Sequence, residues 1–383
     1  MRLVFTEEQE ELRRSVRRLL EKTSASRELR QVIDSDLGYD PEVWALMADQ
    51  MGLQGLAIPE EFGGSGYGWM EQVAVLEEMG AVLLCSPYFA SVILSATMLL
   101  SIDDPEARRD LLPGIAGGQS IATVAFTEDD GRWHDAPIRT TARPGDGVWC
   151  LDGHKTYVLD GMTANLILVV AATPGGASLF AVDARSPGLV RTPLETLDQT
   201  RRLARLELRG TPARLIGAEG AAKAALARTL DLACMAIAAE QVGGAQRCLD
   251  MSVEYAKTRV QFGQPIGTFQ VIKHKCADML LEVESARSAA YYAGWAAGED
   301  PEALPAAASL AKAYCSRAYC HVAAENIQIH GGIGFTWEHD AHLYFKRAKA
   351  SELLFGDAGE HRELLADRLG IESLRLGGGR IDA

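Results

Sequence analysis

Two segments of the chain combine residues able to hold a phosphorylated cofactor. In Arg259-Val-Gln-Phe-Gly-Gln-Pro-Ile-Gly-Thr-Phe-Gln270, the Arg259 guanidinium offers a fork of donors to a pyrophosphate. Gly263, Pro265 and Gly267 enforce a turn there that presents backbone N–H groups. In Gln328-Ile-His-Gly-Gly-Ile-Gly-Phe335, the absence of side chains at Gly331, Gly332 and Gly334 opens the main chain to close approach, and Gln328 can bond a phosphate or ribose. Acids suited to proton transfer are fewer. Glu240 is the only acid in the apolar run from Ala238 to Ala245, whose small neighbours would raise its pKa. It reads either as a general base or as a buried acid paired with an arginine. Asp357 reads either as a base or as a helix-terminus acid. Glu338-His-Asp-Ala-His342 holds ligand-type residues, but no second cluster complements it, and its place at a helix start suits capping; no metal is expected.

The elements that must position these residues fall into three stretches by hydrophobic period. From Thr6 to about Leu112 the period is helical, beginning with a capping-box pattern at Thr6-Glu-Glu-Gln9 and apolar residues at Leu12, Val16, Leu19 and Leu20. A Pro/Gly-rich loop from Ala57 to Tyr67 precedes a further helix from Trp69 to Gly80. Between about Ile121 and Ile216 the runs shorten to β-type segments at 121–126, 147–151, 166–170 and 178–182. Helical periodicity returns at 221–257, 268–298, 305–329 and about 340–368. The expected fold class is α+β and mainly α: an N-terminal helical domain (1–117), a β-barrel-like domain (118–216), a C-terminal four-helix bundle (217–370) and a tail (371–383), with Gly377-Gly-Gly379 expected to be mobile.

Composition narrows the function classes. The chain has 383 residues, 48% hydrophobic and 23% charged, enough for a large buried core. A net charge of −14 argues against nucleic acid, since the densest basic cluster, Arg13-Arg14 with Arg17-Arg18, is short and flanked by acids. Seven scattered cysteines, odd in number, fit a reducing cytoplasm rather than a disulfide framework or zinc site. Two uncharged runs, 79–102 and 161–182, reach bilayer length, but Ser86-Pro87 and Thr173-Pro-Gly-Gly176 break them, so no membrane helix is expected.

The order and separation of the two Gly-rich segments, within this helix–strand–helix organisation, resemble the flavin-contacting segments of the acyl-CoA dehydrogenase family. The resemblance covers nearly the whole chain. It implies FAD held between the β domain and the bundle, partly by a neighbouring subunit, with acyl-CoA as substrate, a separate electron-transfer acceptor, and a homo-oligomer or a hetero-oligomer with a homologous subunit. The sequence has no strand–turn–helix dinucleotide fingerprint. Carried over by position, Phe126 and Thr127 face the flavin ring, and Tyr157 stands where a stacked tryptophan is usual. Arg259 and Phe262 reach toward the partner's FAD, Gln328, Gly331 and Gly332 lie on its adenosine-diphosphate part, and Asp231 lies near CoA.

The resemblance also locates departures. The usual base-bearing stretch corresponds to Lys346-Arg-Ala-Lys-Ala-Ser-Glu-Leu-Leu-Phe-Gly-Asp-Ala358, with Phe355 or Gly356 at the base position; the alternative base position aligns with Ala233. Glu240, two helical turns beyond Ala233, and Asp357 are the candidate catalytic replacements. The loop Glu128-Asp-Asp-Gly-Arg-Trp-His134 matches the family poorly, and Leu159 replaces a hydroxyl side chain. Two functions stay open: FAD-dependent α,β-dehydrogenation of an acyl-CoA by this chain as an oxidoreductase of lipid metabolism, or a non-catalytic role completing FAD sites in a heteromer whose partner chain supplies the glutamate. The Gly334-Phe-Thr-Trp-Glu-His-Asp340 segment resembles subunits of mixed assemblies acting on bulky ring-bearing or side-chain CoA esters.

Overall fold

A computed structural model describes residues 4–371 apart from Asp135 and Asp146; the Gly377–Gly379 tail lies outside the described residues. The N-terminal helices are α1 (Glu7–Thr23), α2 (Ser26–Ile33), α3 (Pro41–Asp49), α4 (Trp69–Ala81), α5 (Thr97–Ser101) and α6 (Pro105–Ala116). The capping box forms as the sequence reads: the Thr6 hydroxyl accepts from Gln9 N, and the Gln9 side chain accepts from Thr6 N at 2.9 Å. One face of α1 buries Val16 and Leu20 completely. The uncharged run 79–102 becomes core, where a wide-turned helix at Phe89–Ala96, buried at every residue, runs directly into α5.

Seven strands follow: β1 (Ala122–Ala125), β2 (Thr141–Pro144), β3 (Trp149–Leu159), β4 (Leu166–Thr173), β5 (Gly176–Asp183), β6 (Leu189–Leu194) and β7 (Leu203–Ile216). Pairing runs β4–β5–β7–β3–β2 and returns to β4 through Thr141 and Ala172, so the sheet closes on itself, with β1 and β6 attached to β4 and β7. Closure leaves those five strands without a free edge. In β3 a bulge sets Thr156 and Tyr157 against one residue of β7, and Tyr157 takes φ +53°. The displaced Thr156 N–H donates instead to Thr127 O at 3.0 Å, tying the bulge to the segment after β1.

The bundle comprises α7 (Ala222–Thr258), α8 (Gln270–Glu299), α9 (Leu304–His330), α10 (Ala341–Leu353) and α11 (Ala358–Arg368). A small hairpin, β8 (Val260–Gln261) with β9 (Gln264–Pro265), joins α7 to α8. The helix expected over 340–368 is broken at Leu354–Asp357, where Phe355 and Gly356 take φ +62° and +103°. Left-handed backbone cannot continue a right-handed helix. Helix α4 crosses α7 at a glycine notch. A Cβ on Gly80 would lie 2.0 Å from Glu240 O, and one on Gly243 would lie 1.8 Å from Glu77 O, so both positions must lack a side chain. Among the described residues, no helix is long and apolar enough to cross a membrane.

Candidate active site

The structure gathers the expected site residues into two groups. The first lies where β3, the segment after β1 and the α10–α11 turn converge. Buried Lys155 donates to Phe126 O at 3.2 Å and to Glu128 at 2.8 Å, and Glu128 also accepts from Arg139 N and Thr140 N. Burial alone would raise the Glu128 pKa, but Lys155 and Thr140 bring it down to about 2. Phe126 and Thr127 are thus pinned in place. Thr127 Oγ1 is buried and has no hydrogen-bond partner. Tyr157, re-aimed by the bulge, helps line a largely apolar cleft of about 490 Å³ with Trp133, Leu203, Leu353 and Gly356.

Aromatic side chains crowd this group. The Trp133 ring centroid is 5.9 Å from Phe126, 6.4 Å from Tyr157 and 5.3 Å, edge-on, from Phe355. Phe355, fully buried, stacks on Phe89 at 5.7 Å. Its carbonyl accepts from two imidazoles, His134 Nε2 at 2.9 Å and His361 Nε2 at 2.8 Å. A carbonyl only accepts, so both nitrogens carry hydrogen. Lys312 Nζ donates to Glu352 O at 2.9 Å and Gly356 O at 2.8 Å, closing the end of α10. Burial lowers the Lys312 pKa to about 8 and that of His361 to about 3. The sequence reading passed over Trp133 and His134, whose only signal was the poor match of their loop, and gave no sign of His361 or Lys312.

The candidate bases are both held by neighbouring groups. Glu240, 8% exposed, accepts from Arg201 at 2.6 and 2.7 Å and also from Arg347. Arg347 further meets Asp198 at 3.1 Å and donates to Thr200 Oγ1 at 2.7 Å. Burial pushes the Glu240 pKa up, but the two guanidiniums outweigh it and hold the carboxyl below its ordinary value. The arrangement has the form of the paired acid, one of the two readings open for Glu240, and a carboxylate clamped by two cations has lowered proton affinity. The space beside it, lined by Tyr88, Phe89, Asp160 and both arginines, is about 30 Å³, room for a water or two. Asp357 caps α11, accepting from Gly359 N at 2.7 Å and Glu360 N at 2.9 Å, and those bonds lower its pKa. It caps the helix, as the second of its two sequence readings has it. Asp231 is buried and bridges Arg368 at 2.7 Å.

The second group lies at the far end of the bundle. Phe262 and Gly263 both take positive φ at the tip of the β8–β9 hairpin, a two-residue turn suited to strand twist. Phe262 is 93% exposed, and Arg259, at the end of α7, is exposed too. The Tyr255 ring stacks on His330 at 4.3 Å, bringing the hairpin's base beside the segment Gln328–Gly332. Gln328 is exposed, and a Cβ on Gly331 or Gly332 would meet nothing within 4 Å. Phe335 and Trp337 stand exposed beyond it. In the Glu338–His342 cluster, His339 Nδ1 accepts from Ala341 N at 3.1 Å and His342 Nε2 is buried without a partner. Among the described residues, no group of three or more His, Cys, Asp or Glu is placed to hold a metal.

The two groups differ in their fit to FAD. The hairpin and the Gly331–Gly332 segment offer exposed donors and open backbone, which suit a phosphorylated, nucleoside-bearing group. At the β-domain face the Thr127 hydroxyl lacks a partner, which suits a heteroaromatic ring, but the Trp133 ring, packed between Phe126 and Phe355, stands at the edge of the 490 Å³ cleft.

Comparison with known proteins gives a consistent picture. Sequence profiles of the acyl-CoA dehydrogenase N-terminal, middle and C-terminal domains match residues 6–119, 123–209 and 221–370. The chain is 36% identical over 358 residues to acyl-CoA dehydrogenase IpdE2 of Mycolicibacterium smegmatis, covering 93% of this chain and 97% of that one. Among solved structures, a chain of the ChsE4–ChsE5 complex from Mycobacterium tuberculosis superposes with a TM-score of 0.88 at 30% identity, covering 97% of this chain and all of that one. A chain of the Tcur3481–Tcur3483 steroid ACAD, in a variant form, superposes with a TM-score of 0.86 at 34% identity, covering 95% and 98%.

Proposed function

We propose that this chain, which belongs to the acyl-CoA dehydrogenase family, carries out its family's reaction as the FAD-site-completing member of a mixed oligomer. That reaction is the α,β-dehydrogenation of an acyl-CoA thioester. A carboxylate takes the α proton, and FAD, when bound, supplies the hydride acceptor. In this reading the carboxylate comes from a homologous subunit. The observation that carries it is the state of Glu240: two guanidiniums occupy its oxygens, and the space beside it is far too small for an acyl chain.

This chain's own contribution lies at the second group. Arg259 donates to phosphate, Phe262 packs against the neighbour, and Gln328 with Gly331 and Gly332 receives the adenosine-diphosphate part across the subunit boundary. A separate electron-transfer acceptor regenerates the flavin. The likeness to chains of the ChsE4–ChsE5 complex and of a steroid ACAD supports a mixed assembly and a bulky, ring-bearing acyl group. The reading also carries a cytoplasmic location.

The test is to purify the chain alone and together with a homologous subunit bearing the glutamate, then measure FAD per chain by absorbance and turnover of a ring-bearing acyl-CoA. The chain alone is expected to be inactive, and the mixed complex active and yellow. Glu240→Gln in the mixed complex should keep its turnover. Turnover by the isolated chain that falls roughly 100-fold or more in Glu240→Gln would restore Glu240 as a general base and overturn the proposal.

A further inference from the structure

We infer that Trp133 and Phe355 form an internal substitute for a flavin ring, and that this subunit therefore contains a latent planar-ring site held shut by its own side chains. The inference rests on the site-completing reading above and deepens it. Two residues that resemble flavin-facing positions, Phe126 and Tyr157, meet the Trp133 indole, and a third, Thr127, follows Phe126 and is tied to the Tyr157 bulge through Thr156 N. Trp133 meets the rings of Phe126 and Tyr157 at 5.9 and 6.4 Å, and Phe355 closes the other side at 5.3 Å. The indole and the phenyl together present three rings, as many as an isoalloxazine.

The polar atoms around this space were left behind. Thr127 Oγ1 is buried without a partner, a cost that a ring nitrogen or carbonyl oxygen placed beside it would remove. The plug is also anchored at both ends. Glu128, at one end of the Trp133 loop, is pinned by Lys155, Arg139 N and Thr140 N. At the other end, His134 donates to the Phe355 carbonyl beside His361. Phe355 itself holds a left-handed backbone that a non-glycine residue adopts only at a cost, so the packing around it must favour this arrangement. In a flavin-bound subunit the ring would bind the β domain to the bundle; here the Phe126–Trp133–Phe355–Phe89 aromatic series makes that connection.

The experiment titrates the purified full-length chain with riboflavin, which carries the ring system without the adenosine diphosphate, following flavin fluorescence. Wild type is compared with Trp133→Ala, Trp133→Ala/Phe355→Ala and Trp133→Phe, with circular dichroism to establish folding. Expected is at least a roughly tenfold tighter riboflavin affinity in Trp133→Ala, a further gain in the double variant, and no gain in Trp133→Phe. If the double variant does not fold, Trp133→Ala decides, since it removes a half-buried side chain from a surface loop. Equal affinity in wild type and folded Trp133→Ala, with the wild type still without turnover, overturns this inference and leaves the site-completing reading standing. Turnover by the wild-type chain alone overturns both.

Discussion

Helix α7 passes through two regions that treat polar groups in opposite ways. At its middle, Ala233 to Ala245 are buried, and the one acid among them is answered by Arg201 and Arg347, with Thr200 and Asp198 completing the network. At its end, Arg259, Phe262 and the facing Gln328–Gly332 stand exposed without such satisfaction inside the chain. The first region is built as structure: guanidiniums take both Glu240 oxygens, although Asp198 Oδ2 and Arg201 Nη1 are buried there without a hydrogen bond. The second is unfinished as a fold and carries groups a cofactor and a second subunit can use. Where a protein satisfies its interior locally it gains structure, and where it leaves strong donors and a large ring in water it points outward.

Four changes break or sharpen this contrast. The largest effect should come from Arg347→Ala, which leaves Asp198 buried without its cation and Glu240 with Arg201 alone. Denaturant unfolding should report a loss of about 3–5 kcal/mol, the scale for stranding one partner of a buried pair. A fall below about 1 kcal/mol would mean the network is not as closed as its geometry. Next is acid. His361 has its folded pKa depressed to about 3 by burial, below the ordinary 6.5, so between those values the unfolded chain binds more protons and stability drops as pH falls. This contribution is fully present above about pH 6.5 and declines by up to ~1.4 kcal/mol per pH unit toward pH 3. Glu240 adds a loss of the same sign below the carboxylate range. His361→Phe should flatten the slope between pH 6 and 4 in thermal unfolding.

The open region should respond in binding and barely in folding. Arg259→Ala is expected to weaken FAD retention in the mixed complex by roughly 1.5–3 kcal/mol, measured by flavin release on dilution, while unfolding of the isolated chain is unchanged. Phe262→Ala should alter the stability of the isolated chain by less than about 0.5 kcal/mol, yet reduce association with the partner subunit in analytical ultracentrifugation. Loss of fold in Phe262→Ala would collapse the distinction between the two regions.

Much of this contrast could be read in the sequence, but unevenly. The capping box at Thr6–Gln9, helix α4 and the long bundle helices follow from periodicity and local caps, which a window of residues contains. Strand β7 does not stand out as an apolar run, because Leu203-Ala-Arg-Leu-Glu-Leu208 alternates charge with apolar residues, the signature of one exposed face. The break at Phe355 escaped notice because nothing local marks a phenylalanine with positive φ; its backbone is fixed by His134, 221 residues away, and by Lys312. The exposed hairpin and the open glycine segment were legible as turns because Gly and Pro at those places mark them by residue type and order alone. The role of Glu240 was not, since it depends on Arg201 and Arg347, 39 and 107 residues distant. Phe126, Thr127 and Tyr157 were found through family resemblance, while Trp133, which now fills their midst, had no counterpart to betray it.

The glycine notch between α4 and α7 has a consequence for how such a chain drifts. Because Gly80 and Gly243 each face a main-chain oxygen at a distance no methyl can share, a single codon change at either would have to displace a 37-residue helix, about 55 Å of rigid rod. That rod carries the closed network at its middle and the outward hairpin at its tip. Lineages exploring new partners can therefore alter Phe262, Phe335 or Trp337 one step at a time, while the crossing that keeps those residues in register allows no intermediate steps. Divergence is channelled to the rim, and the old architecture persists beneath whatever assembly the rim comes to serve.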